Sequence, residues 1–232
     1  MNHHTKESLI AFERRIADLW EAGQLPYLLH LSGGNEAPLI RIFAEVQPGD
    51  WIFSTHRNHY HYLLAGGSEE RLEQLIKDGR SMFVFGSQKP GVSGPTSGLE
   101  CNFICSSILA GTCAIAAGVA HEIKSRPPSP VPRPPHVWCF LGDGAEDEGH
   151  FYEAARFVEG HDLPCTFIIE DNNRSVDTDI VTRRGVALAC PWAEFNCVHR
   201  YHYTPVFPHA GSGCKHHIQF DPAIQPKPFN HG

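Results

Sequence analysis

The fold is decided by Val137-Trp138-Cys139-Phe140-Leu141-Gly142-Asp143-Gly144, followed along the chain by Pro164-Cys165-Thr166-Phe167-Ile168-Ile169-Glu170-Asp171-Asn172-Asn173. Each stretch holds an apolar run long enough for a buried strand and ends in small or oxygen-bearing residues. The segment 145–162 between them is rich in Glu and Ala, which favours a helix. Units of strand, helix and strand are nearly always right-handed with parallel strands, so both strand-end turns lie at one edge of the sheet. The sequence predicts an α/β fold, with a parallel sheet flanked by helices.

Polar residues at the two strand ends predict a cation site. Because both turns share one edge of the sheet, Asp143 and Asn172 are expected to lie near each other. A carboxylate and an amide oxygen suit a hard divalent cation such as Mg²⁺, whose other positions go to water, backbone carbonyl and phosphate. Gly142 and Gly144 let the backbone approach a ligand closely. The alternative interpretation is an ordinary turn with a solvated aspartate.

Composition limits the classes of function. The chain has 232 residues, of which 41% are apolar, and a formal net charge of −7 with no block of basic residues. Nucleic acid is therefore not expected as a partner. The sequence has no apolar run long enough to span a membrane and no apolar signal-peptide core near its start. We expect a cytoplasmic protein that does not bind a membrane.

The eight cysteines do not form a Cys-x-x-Cys pair. Several lie inside apolar runs, namely Cys105, Cys113, Cys139 and Cys165. They are interpreted as buried free thiols in a reducing compartment, neither a disulfide framework nor a zinc site. Of the sixteen histidines, many cluster at 56–61 and 199–217. A zinc site there stays open, although packing or substrate contacts are the more frequent roles of such mixtures of histidine and aromatic residues.

The rest of the chain predicts one domain. Periodic apolar residues predict an amphipathic helix over 6–23, and Ser68 caps a second helix over 68–78. A stretch rich in Ala and Gly predicts a buried helix over 103–124, whereas 79–98 has the composition of a long loop. We predict a single α/β domain over residues 1–203, followed by an irregular tail over 204–232.

Four motifs occur in an order that resembles a known family. They are His30-Leu31-Ser32-Gly33-Gly34-Asn35-Glu36-Ala37, Gly49-Asp50-Trp51-Ile52-Phe53-Ser54-Thr55-His56-Arg57-Asn58-His59, Gly79-Arg80-Ser81-Met82, and Gly142-Asp143-Gly144 with the Asn pair after a spacer over 145–171. Together they resemble the alpha subunit of the thiamine diphosphate-dependent 2-oxo acid dehydrogenases, the group that acts on pyruvate, branched-chain 2-oxo acids and acetoin. The resemblance covers about residues 28–176.

The resemblance implies thiamine diphosphate and Mg²⁺ as cofactors in a diphosphate-binding fold. Asp143, Asn172 and the backbone carbonyl of Arg174 would ligate Mg²⁺. His59 would face the thiazolium and transfer protons, and His202 would approach the substrate. The residues implied to contact the cofactor are His56 (where the family often has Tyr), Arg57, Ser107, Leu109, Gly142, Asp143, Gly144, Ala145, Asn172 and Arg174.

The resemblance also implies an activity and partners. The activity is decarboxylation of a 2-oxo acid by an alpha-type subunit, and the reaction's electron sink is the cofactor. In this family a beta-type subunit supplies a glutamate that activates the cofactor, so the active site would form between chains. The implied assembly is an α2β2 heterotetramer or a homo-oligomer, and a lipoyl carrier is a further possible partner.

The chain departs from the family in three places. Phe83 follows Ser-Met where the family has His, the loop over 84–102 does not match, and the part after the Asn pair is abbreviated. His199-Arg200-Tyr201-His202-Tyr203 is interpreted as the remnant of the family's later loop. Two other functions therefore stay open: one half of a split transketolase-like enzyme, and a degenerate subunit that keeps the fold without turnover.

Overall fold

A computed structural model of the chain describes residues 4–25, 27–80, 85–86, 101–127, 133–176, 178–185 and 192–213. Within these ranges the α-helices are α1 (Lys6–Glu21), α2 (Glu36–Phe43), α3 (His59–Leu64), α4 (Glu69–Lys77), α5 (Cys113–Ser125), α6 (Gly149–Gly160) and α7 (Ile180–Arg184). One turn of 3-10 helix, Ala145–Asp147, lies directly before α6. No helix within the described ranges is both long and apolar enough to cross a membrane.

The strands form one main sheet. They are β1 (Trp51–Ser54), β2 (Phe85–Gly86), β3 (Asn102–Cys105), β4 (Val137–Gly142), β5 (Cys165–Asp171), β6 (Arg174–Ser175), β7 (Thr178–Asp179) and β8 (Val198–His202). The six-stranded sheet has the order β2-β3-β1-β4-β5-β8, and a separate hairpin pairs β6 with β7. All pairs of the main sheet are parallel except β2 with β3. The predicted parallel sheet flanked by helices is confirmed.

The central strands of the sheet are buried on both faces, and β4 shows this most directly. Trp138 and Phe140 pack into a core with α1 to α4, whereas Val137, Cys139 and Leu141 pack into a second core with α5 and α6. Alternate side chains of a strand point to opposite faces, so a strand covered on both sides reads as a continuous apolar run. Phe140 is fully buried, and its replacement by Ala is expected to cost about 3–5 kcal/mol of stability.

Two predicted helices are confirmed together with the local signals that start them. The hydroxyl of Thr5 accepts a hydrogen bond from the backbone N–H of Ser8 at 3.2 Å at the start of α1. Ser68 caps α4 in the same way by accepting from the N–H of Arg71 at 3.1 Å. Such caps satisfy amide groups that have no partner within the helix.

The predicted helix over 103–124 is wrong in its first half. Residues Asn102–Cys105 form β3, which lies parallel to β1, and the backbone N–H of Asn102 donates to the carbonyl of Asp50 at 2.8 Å. A short apolar run has too few residues for its periodicity to show whether it is a buried strand or part of a helix. The helix α5 begins only at Cys113, and it is not buried all round, since Ile115 is 54% exposed.

Residues 204–213 contain no helix or strand, and their backbone packs against the segment before α2. The N–H of Gly211 donates to the carbonyl of Leu29 at 2.8 Å, and the N–H of Val206 donates to the carbonyl of Gly33 at 3.3 Å. The division into a domain over 1–203 and a tail over 204–232 stays a prediction, because residues 214–232 lie outside the described ranges. Most of the predicted loop over 79–98, including Phe83, also lies outside them.

Candidate cofactor site

A cavity of about 370 Å³ opens at the carboxyl edge of the parallel sheet. Its walls come from the segments that follow four strands: 54–57 after β1, 106–110 after β3, 142–145 at the end of β4, and residues 172 and 174–176 after β5. Open parallel sheets bind ligands outside the carboxyl ends of their strands. The volume is within the range of small-molecule sites.

The cavity brings together the two residues that the sequence places at the strand ends. Asp143 and Asn172 both line it, and so does Arg174. Of the Asn pair, the first residue faces the cavity. Asn173 is not among the lining residues, has a φ of 59°, and accepts a hydrogen bond from the N–H of Ile180 at 3.3 Å through its side chain. Asn172 is also the residue of the pair that the sequence predicted to lie near Asp143.

The turns after β4 and β5 touch at Gly144. A Cβ atom at Gly144 would lie 2.7 Å from the Cβ of Ser175 and closer still to its hydroxyl oxygen. No side chain fits there, so the close approach of the two turns requires glycine. Gly142 differs, because a Cβ there would meet no atom within 4 Å although the residue lines the cavity. Its missing side chain leaves space for a ligand.

Asp143 is buried beside another acid. It is 1% exposed, and burial together with the charge of Asp171 raises the pKa of the Asp143 carboxyl to about 6, against the opposing charge of Arg183. A bound cation would stabilise the ionised form. The available donors at this edge are a carboxylate, an amide oxygen and backbone carbonyls, which fit Mg²⁺. The residues present therefore fit the implied cation.

Arginines from α7 and β8 hold the segment that follows Asp143. The buried carboxylate of Glu146 accepts from Arg184 at 2.8 Å and from the indole of Trp192 at 2.7 Å, and it also pairs with Arg200. Asp147 accepts from Arg183 at 2.6 Å. These residues were not assigned from the sequence. In the sequence they appear only as an acidic pair, Glu146 and Asp147, followed later by the arginine pair Arg183 and Arg184. Opposite charge by itself does not show that the two pairs meet.

The remaining residues of the predicted cofactor set line the same cavity. Ser107, Leu109 and Ala145 are among its walls, as are His56 and Arg57. The guanidinium of Arg57 bonds to backbone, since it donates to the carbonyl of Leu31 and, at 3.2 Å, to the carbonyl of His209. Contact of these residues with a cofactor stays a prediction.

The two predicted catalytic histidines do not line the cavity. His59 is buried at the start of α3, and its Nδ1 donates to the carboxylate of Glu13 at 2.9 Å. His202 is on β8 with its side chain 75% exposed and pairs with Asp171 at 3.0 Å. In the structure His59 is therefore a packed histidine that contacts α1. A catalytic role for either residue stays a prediction.

The cavity also contains ionisable side chains that were not assigned from the sequence, namely those of His30, Glu170, Tyr203 and His209. The carboxylate of Glu170 accepts from Asn35 at 3.1 Å and from Tyr201, and it lies 3.2 Å from Nε2 of His61. Burial alone would raise the pKa of Glu170, but these partners outweigh it and the net pKa is lowered. A charged Glu170 therefore adds to the acidic character of the cavity.

Comparisons with known proteins agree with the motifs. The family model of the dehydrogenase E1 component matches residues 5–187. The chain is 30% identical over 167 residues to the alpha subunit of acetoin:2,6-dichlorophenolindophenol oxidoreductase from Bacillus subtilis, covering 69% of this chain and 46% of that protein. It is 29% identical over 190 residues to the alpha subunit of the pyruvate dehydrogenase E1 component from Zymomonas mobilis, covering 78% and 51%.

The chain spans about half the length of these curated relatives. Among solved structures, transketolase from Campylobacter jejuni matches with a TM-score of 0.51 and 20% identity, over 78% of this chain and 29% of that one. At this identity the match shows a shared fold.

Proposed function

We propose, from the premise that the chain belongs to the dehydrogenase E1 component family, that it binds thiamine diphosphate with Mg²⁺ as an alpha-type subunit and takes part in decarboxylation of a 2-oxo acid. The observation that carries the proposal is the position of Asp143 and Asn172 on one cavity at the carboxyl edge of the sheet. The family supplies the cofactor class, and the cavity supplies oxygen donors suited to the metal.

Each group of cavity residues has a role in this proposal. The side chains of Asp143 and Asn172 and the carbonyl of Arg174 hold Mg²⁺. The backbone at Gly142, Gly144 and Ala145 approaches the diphosphate, which Arg57 and His56 contact from the segment after β1. Ser107 and Leu109 contact the aminopyrimidine. The bound cofactor supplies the electron sink for decarboxylation, and the protein orients it and excludes water.

A beta-type partner chain completes the site in this proposal. The relatives described above are named as alpha subunits. The cavity rim also exposes apolar side chains that a second chain would cover, with Ile108 71% and Val176 59% exposed. Exposed apolar groups that lie together mark contact sites. The partner would contribute the activating glutamate, in an α2β2 heterotetramer, and a lipoyl carrier would accept the acyl group.

The substrate class follows from the relatives. One is named for acetoin and the other for pyruvate. Pyruvate is the 2-oxo acid to test for decarboxylation, and acetoin, which has no carboxyl group to lose, is tested as a second substrate without decarboxylation. Proton transfer by His59 and substrate contact by His202 belong to the proposal. Both would require a change from the positions described above or a contribution from the partner chain.

The proposal is tested by calorimetric titration of thiamine diphosphate with Mg²⁺ into the full chain, with and without a candidate beta-type chain. We expect Mg²⁺-dependent binding that is lost in Asp143→Ala. Asp18→Ala is the matched control, because Asp18 is exposed on α1 and does not line the cavity. Unchanged binding in Asp143→Ala would refute the site. Binding without turnover of either substrate would leave a cofactor-binding subunit and remove the proposed activity.

A further inference from the structure

Three histidines meet on one wall of the cavity. They are His30 before α2, His56 after β1 and His209 after β8, and one ring nitrogen of each lies within 4.8 Å of the other two. Their ring centroids are 4.4 Å apart for His30 and His56, and 4.7 Å apart for His30 and His209. Three segments that are distant in sequence thus place nitrogen donors around one point.

We propose that these three residues, the histidine trio, form a second cation site that takes a transition metal of the zinc class. Three imidazoles with a fourth position open to a cavity are a ligand set typical of zinc. The site is chemically distinct from the oxygen donors at Asp143 and Asn172, which suit Mg²⁺. The two sets of ligands would therefore select different metals within one cavity.

A backbone carbonyl orients one ring of the trio. Nδ1 of His30 lies 2.7 Å from the carbonyl oxygen of His209. A carbonyl only accepts hydrogen bonds, so Nδ1 carries the proton and Nε2 keeps the lone pair that can coordinate a metal. Metal-binding histidines usually donate their second nitrogen to a carbonyl or carboxylate in this way. Arg57 donates to the same carbonyl at 3.2 Å, which fixes its position.

The protonation state supports coordination. Burial lowers the pKa of His30 to about 4 and that of His56 to about 3, with a further contribution from neighbouring positive groups that include Arg57. At neutral pH both rings are therefore uncharged, and a metal does not have to displace a proton from them. The nearby charge of Arg57 favours an anion, such as hydroxide, in the open fourth position.

The distances between the three ring nitrogens show how far the rings would move when a metal binds. Zinc–nitrogen bonds of about 2.1 Å place tetrahedral ligands about 3.4 Å apart. The present separations are at most 4.8 Å, so the nitrogen atoms of a pair would approach each other by up to about 1.4 Å. An anion is the other ligand that three histidines and an arginine could bind. The unprotonated Nε2 of His30 disfavours it, because a lone pair repels an anion.

The test uses the full chain after treatment with a chelator, in the absence of thiamine diphosphate and Mg²⁺. Zn²⁺ is titrated by calorimetry, and Co²⁺ is added in parallel so that its visible absorption reports nitrogen ligands. We expect one tight equivalent of metal. His30→Ala and His209→Ala should each weaken that equivalent at least tenfold while circular dichroism confirms folding.

Matched controls separate the trio from the other histidines. His199→Ala removes an exposed histidine on β8, and the double variant His216→Ala/His217→Ala removes the adjacent pair near the end of the sequence. Both should keep the tight equivalent, and so should Asp143→Ala, which tests the other metal site. Absence of a tight equivalent, or equal affinity in the trio variants, would overturn the proposal. Binding of inorganic phosphate in place of Zn²⁺ would overturn it in favour of an anion site.

Discussion

The guanidinium of Arg183 lies 3.4 Å from Oδ2 of Asp143 and donates to the backbone carbonyl of the same residue at 3.0 Å. A positive group of the protein is therefore already placed against the carboxylate that is proposed to hold Mg²⁺. Among the described residues, Nη1 of Arg183 is buried without a hydrogen-bond partner. The arginine and the metal ion would compete for one negative charge.

Removal of this competing charge should strengthen the binding of Mg²⁺. We expect Arg183→Ala to lower the Mg²⁺ concentration that gives half-maximal binding of thiamine diphosphate by about 3–10-fold, which corresponds to roughly 1 kcal/mol for a partly buried pair. Arg183→Lys is the control and should stay close to the wild type. The titration is made at pH 8, above the pKa of about 6 of Asp143. A higher requirement for Mg²⁺ would show that Arg183 binds the anionic cofactor instead.

A methyl group at Gly144 should separate the two turns of the site. Since its Cβ would lie 2.7 Å from the Cβ of Ser175, we expect Gly144→Ala to lower the free energy of unfolding by about 1–3 kcal/mol. Urea denaturation measures the change. Addition of Ser175→Gly to the Gly144→Ala variant should restore most of the lost stability. In Gly142→Ala, where the new atom meets open space, stability should be unchanged while cofactor binding weakens. Equal instability of both single variants would contradict this account.

Replacement of His59 tests two roles at once. With a beta-type partner present, His59→Ala should lower turnover while cofactor affinity stays unchanged, and normal turnover would remove its proposed catalytic role. The variant also leaves the buried carboxylate of Glu13 without its 2.9 Å partner, which should cost about 3 kcal/mol of stability. Glu13→Gln serves as the comparison. If it lowers turnover as much as His59→Ala does, His59 acts by positioning.

The thiol of Cys197 should react slowly in the folded protein. Burial, with a contribution from Glu159, raises its pKa to about 12 from a usual value of 9.0. Because the thiolate is the reactive form, alkylation at pH 8 should be about 10³-fold slower than for an exposed cysteine. The rate should rise about tenfold per pH unit up to pH 10. Mass spectrometry of iodoacetamide-treated protein measures it, with urea-unfolded protein as the reference. A plateau near pH 9 would contradict the raised pKa.

The sequence predicted those parts of the molecule that depend on local pattern. Apolar runs bounded by turn residues identified β4 and β5, and the rule for right-handed connections placed Asp143 and Asn172 at one edge. The predicted buried thiols Cys105, Cys113, Cys139 and Cys165 are confirmed as buried. The prediction failed at β3, because a strand of four residues with three apolar residues in succession is too short to show a period that separates strand from helix.

By itself the sequence determined the parallel sheet, the edge at which a ligand binds and the family to which the motifs point, since each of these follows from residues close together in the chain. Only the tertiary structure decided which side chains meet there. His30 and the carbonyl of His209 are 179 residues apart in sequence, and Arg183 is 40 residues from the carbonyl of Asp143. Such contacts depend on how the loops cross the sheet and pack. Hydrophobic periodicity shows which face of a helix or strand is buried, but it does not show which residues pack against that face.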